Sequence, residues 1–229
     1  MDILKKIEQY REEEQRLKWE GTFAEYLEIV RENPTVAQSA HSRVYNMIKD
    51  SGIEEKDGKK VYSFFDKELF GLEEPLERLV EEYFHPAAKR LDVRKRILLL
   101  MGPVSGGKST LVTMLKRGLE AYSLTDEGAV YGIKGCPMHE DPLHLIPQHL
   151  RDDFYNEYGI RIQGNLSPLN MMRLEQEYGG RIEDVKVERI FFSEDKRTGI
   201  GTFSPSDPKS QDIADLTGSI DFSTIAEYG

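Results

Sequence analysis

ILLLMGPVSGGKSTLVTMLKRGL, residues 97–119, runs from an unbroken apolar segment through a cluster of glycines to a lysine followed by two hydroxyls. With Arg96 included, RILLLM is the kind of short, continuous apolar run that a parallel strand buried on both faces shows. Leu111, Val112, Leu115 and Leu119 then recur at helical spacing. Strand, loop and helix within about thirty residues is the start of a βαβ unit. Gly102, four further residues, then Gly107-Lys108-Ser109 fits G-x-x-x-x-G-K-[ST], the phosphate-binding loop. Gly102, Gly106 and Gly107 let the backbone curl around a polyphosphate without side-chain clashes, so that successive N–H groups and the helix N-terminus point at the anion. In that arrangement Lys108 reaches the β and γ oxygens, and the Ser109 hydroxyl ligates Mg²⁺ with Thr110 beside it. The bland alternative is a glycine-rich turn with a solvent-facing lysine; the flanking strand and helix argue against it.

The rest of the chain sets the loop in an unlikely electrostatic background. Lys and Arg total 31 against 41 for Asp and Glu, a formal charge of -10 over 229 residues. The summed field opposes polyanions, which excludes general nucleic-acid binding and makes any phosphate site local. One cysteine, Cys136, cannot form an internal disulfide. No N-terminal segment reads as a signal peptide or membrane span, so the expectation is a cytoplasmic protein with no membrane partner.

Three helical signals fill the first fifty residues. In MDILKKIEQYREEEQRLKWEG, residues Ile3, Leu4, Ile7, Tyr10 and Leu17 line one face; TFAEYLEIVRE follows; then NPTVAQSAHSRVYNMIKDSG, with Asn33 as N-cap, Pro34 at the first helical position and Gly52 at the exit. The charged run EEKDGKK, 54–60, has no apolar face and reads as a linker. A boundary there divides a helical N-terminal extension, 1–60, from a nucleotide-binding region, 61–229. Beyond it, ELFGLEEPLERLVEEYFHPAAKR carries Leu72, Leu76, Leu79, Val80 and Tyr83 at helical spacing, and GAVYGIKG reads as a second strand. IPQHLRDDFYNEYG and SPLNMMRLEQEYGG each offer Pro near the start and Gly at the end, as short helices do. DVKVERIFFSEDKRTGIGTFSP has two β-rich arms around a polar turn and predicts a hairpin insertion.

A phosphate loop needs an acidic partner for Mg²⁺ and water, usually at the end of a neighbouring strand. Within RIFFSED the candidates are Glu194 and Asp195, but they fall where the hairpin should turn and read better as solvated turn residues. On that reading the acid lies beyond Gly229 and the nucleotide-binding core is incomplete. GCPMHEDPLHLIPQH gathers Cys136, His139, Glu140, Asp141, His144 and His149 at spacings that match no standard zinc pattern. The competing reading is a kinked loop near the nucleotide-bearing edge, where Asp141 and His144 face a substrate.

Over nearly the whole length the chain resembles the N-terminal part of the PrkA family of bacterial serine protein kinases, which contain an AAA+ ATPase module. TFAEYLEIVRENP, FGLEEPLERLVEEYFHPAA, LLLMGPVSGGKST, KGCPMHEDPLHLIP and GIGTFSPSDPKSQDIADLTGSID carry the resemblance. It implies an α/β fold of the P-loop AAA+ type, a parallel sheet flanked by helices, with LTGSIDFSTIAEYG looking like the segment before a Walker B strand. It implies ATP and Mg²⁺ as cofactors, held by Gly102, Pro103, Val104, Ser105, Gly106, Gly107, Lys108, Ser109 and Thr110. Phe70, Gly71 and Leu72 would border the adenine, and Ser109 would contact the metal. It further implies a protein substrate phosphorylated on serine, ring-like homo-oligomers, and a place in sporulation or starvation responses. The chain lacks both H-R-D and D-F-G motifs, so nothing in it looks like a conventional kinase centre. The alternative is the ATPase motor of a Lon-like ATP-dependent protease or a chelatase-like remodeller.

Overall fold

A computed structural model describes residues 3, 15, 17–56, 58–91, 95, 97–203 and 218. The predicted N-terminal helix lies almost wholly outside the described residues, as does LTGSIDFSTIAEYG apart from Gly218. Strand β1, Glu20–Thr22, leads directly into helix α1, Phe23–Glu32. Thr22 makes a capping box: its hydroxyl accepts the Glu25 N–H at 3.2 Å while Glu25 accepts the Thr22 N–H at 2.6 Å. The predicted helix from Asn33 to Gly52 is instead two pieces, a 3₁₀ turn Pro34–Ala37 and helix α2, Ala40–Asp50. Gln38 is extended, and Ser39 restarts the helix by accepting the Ser42 N–H.

The charged run at 54–60 is a correction. It forms an antiparallel hairpin, β2 (Ile53–Lys56) and β3 (Lys59–Tyr62), with Gly58 at a positive φ of 73° before β3. The hairpin's polar face is tied to the next helix: Lys59 to Glu74 at 3.0 Å, and Lys60 and the Tyr62 hydroxyl to Glu81 at 2.7 and 2.6 Å. That helix starts as α3, Glu73–Arg78, widens into a π-helical stretch, Leu79–Phe84, and ends as α4, His85–Ala88. Helix α5, Lys108–Ser123, follows the glycine loop. Next come strand β4, Val130–Ile133, helix α6, Arg151–Tyr158, helix α7, Pro168–Tyr178, and strand β5, Lys186–Ile190.

The sheet is not the expected parallel one. Its order is β1-β5-β4 and both pairings are antiparallel, with Glu20 opposite Glu188 and Val130 opposite Ile190. The segment 97–101, expected as the buried strand before the loop, pairs with nothing among the described residues; Ile97 is 94 % exposed. An apolar run becomes a strand only where neighbouring backbone offers it hydrogen bonds. None of the described strands pairs with 97–101. The hairpin expected from 185 onward is also only partial: β5 pairs with β1 and β4, and the return arm is a single bridge, Ser193 to Thr198.

Two apolar clusters hold these elements. One joins Phe23, Tyr26 and Val30 to Ile133, Phe154 and Val187; the other joins Met47 and Ile48 to Leu76, Val80, Leu111 and Met114. Residues on both sides of position 60 enter each cluster. Helix α5 sits in the second, and Gly118 lets it approach α2: a Cβ there would lie 2.7 Å from Phe64 and 2.8 Å from Met47 Sδ. Buried Arg43 on α2 donates to the Gly128 and Ala129 carbonyls at 2.6 and 3.0 Å, fixing the entry to β4. Arg189 on β5 donates to the Ser123, Leu124 and Thr125 carbonyls at 3.3, 3.2 and 2.7 Å, closing the C-terminus of α5 with a cation. The C-terminal end of the loop-bearing helix is thereby set, while Ser109 in its first turn is exposed.

Candidate phosphate-binding site

Helix α5 begins at Gly107, whose φ of 77° is left-handed and whose Cβ, if it had one, would stand 3.0 Å from Leu69 Cδ2 and 3.3 Å from Leu72 Cδ1. Only glycine combines that conformation with that wall. Gly107 offers no capping side chain, so the first-turn N–H groups are not claimed by an N-cap oxygen. Upstream, the Gly106 N–H closes a turn on the Pro103 carbonyl at 3.2 Å, and Ser105 takes a φ of 63°. The Lys108 ammonium folds back, donating to the Gly102 and Pro103 carbonyls at 2.9 and 2.5 Å. A phosphate entering here competes with those two carbonyls for the lysine.

An open cleft of about 570 Å³ brings Ser105, Gly106, Gly107, Lys108, Ser109 and Thr110 opposite Glu68, Leu69, Phe70 and Leu72. The expected residues are thus divided. Six loop residues, Phe70 and Leu72 share one cleft; Gly71 lies between two of its lining residues, the Gly102 and Pro103 carbonyls accept from Lys108 outside the lining, and Val104, 94 % exposed, does not line it. The sequence reading missed Glu68 and Leu69. Their signal was adjacency: they immediately precede Phe70, and Leu69 is buried against the loop while Phe70 is exposed.

The acids near the hairpin turn separate. Asp195 is exposed in the turn, as expected. Glu194 is not merely solvated: it pairs with Lys116, accepts the Thr202 hydroxyl at 2.5 Å, and its own N–H donates to Glu120 at 2.7 Å. The Lys116 ammonium, then the Thr202 hydroxyl, hold its carboxyl below the usual range. Lys116 lies eight residues beyond Lys108, about 12 Å of helix rise from the phosphate end. Glu194 therefore anchors the turn to α5.

The cysteine and histidine segment is a structural lock. Glu140 accepts the Ser167 N–H and hydroxyl at 2.8 and 2.6 Å, the Asn170 amide at 2.6 Å, and faces His144 Nδ1 at 3.0 Å. Burial acts to raise its pKa, but these donors outweigh burial and hold it low. His144 Nε2 is taken up by the Gln163 carbonyl at 2.7 Å, and Asp141 accepts the Leu143 N–H at 2.9 Å as the cap of a 3₁₀ turn. The reading of Asp141 and His144 as substrate-facing groups is accordingly corrected: internal bonds occupy both. Buried Cys136 contacts the Asn170 amide at 3.2 Å. Among the described residues no group of three or more His, Cys, Asp or Glu is placed to hold a metal, and no helix is long and apolar enough to cross a membrane.

Mixed helices and strands with a glycine loop heading a long helix define an AAA-type domain. Residues 21–229 match the PrkA AAA domain, and the chain belongs to that family. It is 91 % identical over 229 residues to a Bacillus subtilis (strain 168) protein named ATP-dependent protease PrkA, covering all of this chain and 36 % of that protein. It is 34 % identical over 169 residues to the Escherichia coli (strain K12) serine/threonine kinase YeaG, covering 71 % of this chain and 25 % of that protein. An uncharacterized Geobacillus stearothermophilus protein encoded 5′ of gldA is 79 % identical over 97 residues, 42 % of this chain and all of that one. The chain thus spans about a third of the Bacillus relative and a quarter of the Escherichia one. No solved structure matches it.

Proposed function

We propose that this chain is a Mg²⁺-ATP-binding module that drives the activity of a longer polypeptide. The observation that carries the reading is the cleft in which the Gly107 turn, Lys108, Ser109 and Thr110 meet Phe70 and Leu72. The residues fit a triphosphate: an uncapped helix N-terminus, a glycine that no other residue replaces, and a lysine held at the loop's mouth. Ser109 is the side chain that would hold Mg²⁺, which neutralises phosphate charge when bound. Glu68, across the cleft, disfavours a bare triphosphate and favours one that arrives with its cation. Phe70, Gly71 and Leu72 supply the purine wall. The boundary expected at 60 is proposed only as a limit of the nucleotide-binding region, 61–229, because residues 1–60 contribute β1 and β2 as well as helices and enter both apolar clusters. The exposed run 97–101 is read as a strand that gains its partners in the longer protein.

Two outputs of the ATP site compete. Phosphoryl transfer to protein serine is supported by the name of the Escherichia relative, and ATP-driven proteolysis by the name of the more similar Bacillus one. The higher identity favours proteolysis as the second reading. Saturating Mg-ATP, at about a hundred times its Kd, should raise the melting temperature by roughly 5 °C or more. No rise would remove the binding assignment. In the longer protein, labelled phosphate on serine marks the kinase, and ATP-dependent release of peptides marks the protease.

A further inference from the structure

A second, basic cleft lies away from the phosphate loop. It is lined by Lys89 and Arg90 at the end of α4, Tyr155 and Gly159 at the end of α6, and Arg161 and Gln163 on the segment that follows, and measures about 420 Å³. Three of these six residues are cationic and none is acidic, in a chain of formal charge -10. The cations are arranged. The Arg161 guanidinium lies over the Tyr155 ring, 4.5 Å from its centre, and Arg90 donates to the Arg161 carbonyl at 2.6 Å. Arg90 makes that bond from a φ of 62°, in the left-handed region that side chains other than glycine's rarely adopt. Backbone strain of this kind concentrates at ligand clamps. In the sequence, Lys89 and Arg90 open the run KRLDVRKR, 89–96, with five cations and one acid.

We infer that this cleft is a second anion site, selective for a short polyphosphate or phosphate-ester group of small-molecule size. The Arg161 guanidinium fork matches phosphate oxygens in a pair, Lys89 adds a point charge, and Arg90 holds the Arg161 backbone in place. The volume lies within the range of small-ligand pockets. The chain's overall negative field selects against an extended polyanion, whose remaining phosphates would be repelled, and for a compact anion whose charge the cleft can cover. Charged residues at two helix C-termini also offset the local dipoles, so a purely structural role for the cations is the outcome the experiment must separate.

The test is a titration of the whole chain with sodium tripolyphosphate, followed by amide and arginine side-chain NMR. It is run in wild type and in Lys108→Ala, which weakens the phosphate loop. Saturable shifts at Gly159, Gln163 and Arg161 are expected in both proteins. Lys89→Gln with Arg161→Gln should weaken that phase at least tenfold, with the shifts at Gly106 and Gly107 of the wild-type loop retained. A phosphoserine peptide that saturates the same resonances at lower concentration would assign the phosphate to a polypeptide source; a nucleoside triphosphate that does so would assign it to a free metabolite. Shifts confined to Gly106 and Gly107 would overturn the site. Equal affinity in the double variant, or tighter binding of a single-stranded oligonucleotide than of tripolyphosphate, would overturn it as well. Because the wild-type map alone decides between cleft and loop, the result stands even if the double variant does not fold.

Discussion

The two sides of the molecule treat apolar residues in opposite ways. Around the antiparallel sheet, Val30 and Val187 are fully buried; beside the glycine loop, Ile97 and Val104 are each 94 % exposed. Both regions are rich in β-branched and aliphatic residues, so composition does not separate them. Partnership does. Strand β5 has β1 on one edge and β4 on the other, and Val187 joins Phe23 and Tyr26 of α1 in the first cluster. Residues 97–101 have no strand beside them among the described residues; Leu100 packs half-buried against the second cluster, and the other four side chains are exposed. The same helix, α5, belongs to both worlds: Leu111 and Met114 are buried in the second cluster, while Ser109 and Thr110 look into the open cleft.

Substitutions should expose that asymmetry. Phe23→Ala, in the closed region, is expected to cost about 3–5 kcal/mol in a denaturant titration, since it leaves a cavity between α1 and the sheet. A loss below about 1 kcal/mol would mean the sheet side is loosely packed, and the contrast would fail. Glu81 comes next. Burial pushes its pKa up, but Lys60, Tyr62 and His85 donate to it and bring it down to about 2. Its folded pKa is thus below its unfolded one, so its contribution is complete above about pH 4.5 and is lost as pH falls toward 2. Glu81→Gln should flatten acid unfolding over that window by about 1–2 kcal/mol. An unchanged acid limb would show that the hairpin does not depend on this carboxylate. The smallest effect is expected at Leu99→Ser, under about 0.5 kcal/mol, as for an exposed site. A cost like that of Phe23→Ala would show that 97–101 is buried after all.

Much of the molecule was legible in the sequence, because local signals and final structure agree. The run TFAEYLEIVRE announces α1, Pro168 and the glycines after Tyr178 bound α7, and the glycine and lysine spacing at 102–109 places the head of α5. What escaped notice depends on contacts far apart in the chain. The pairing of β1 with β5 joins residues 20–22 to 186–188, which no periodicity within either segment encodes. The charged hairpin at 53–62 hid because its stabilising partners, Glu74, Glu77 and Glu81, lie on a later helix. At the site, the loop residues carried their own signature, whereas Glu68 and Leu69 enter only because the chain before α3 folds across Gly107. Glu194 looked like a solvated turn acid because nothing near it in sequence reveals Lys116.

Phosphate binding at the head of α5 requires Lys108 to exchange two loop carbonyls for phosphate oxygens, and titration calorimetry of Mg-ATP into wild type and Lys108→Ala tests this directly. Removing a charge-assisted contact of this kind should weaken binding at least tenfold, with the unfolding midpoint of the free protein nearly unchanged. Indistinguishable affinities in the two proteins would contradict the assignment of Lys108 and, with it, the phosphate site at the head of α5.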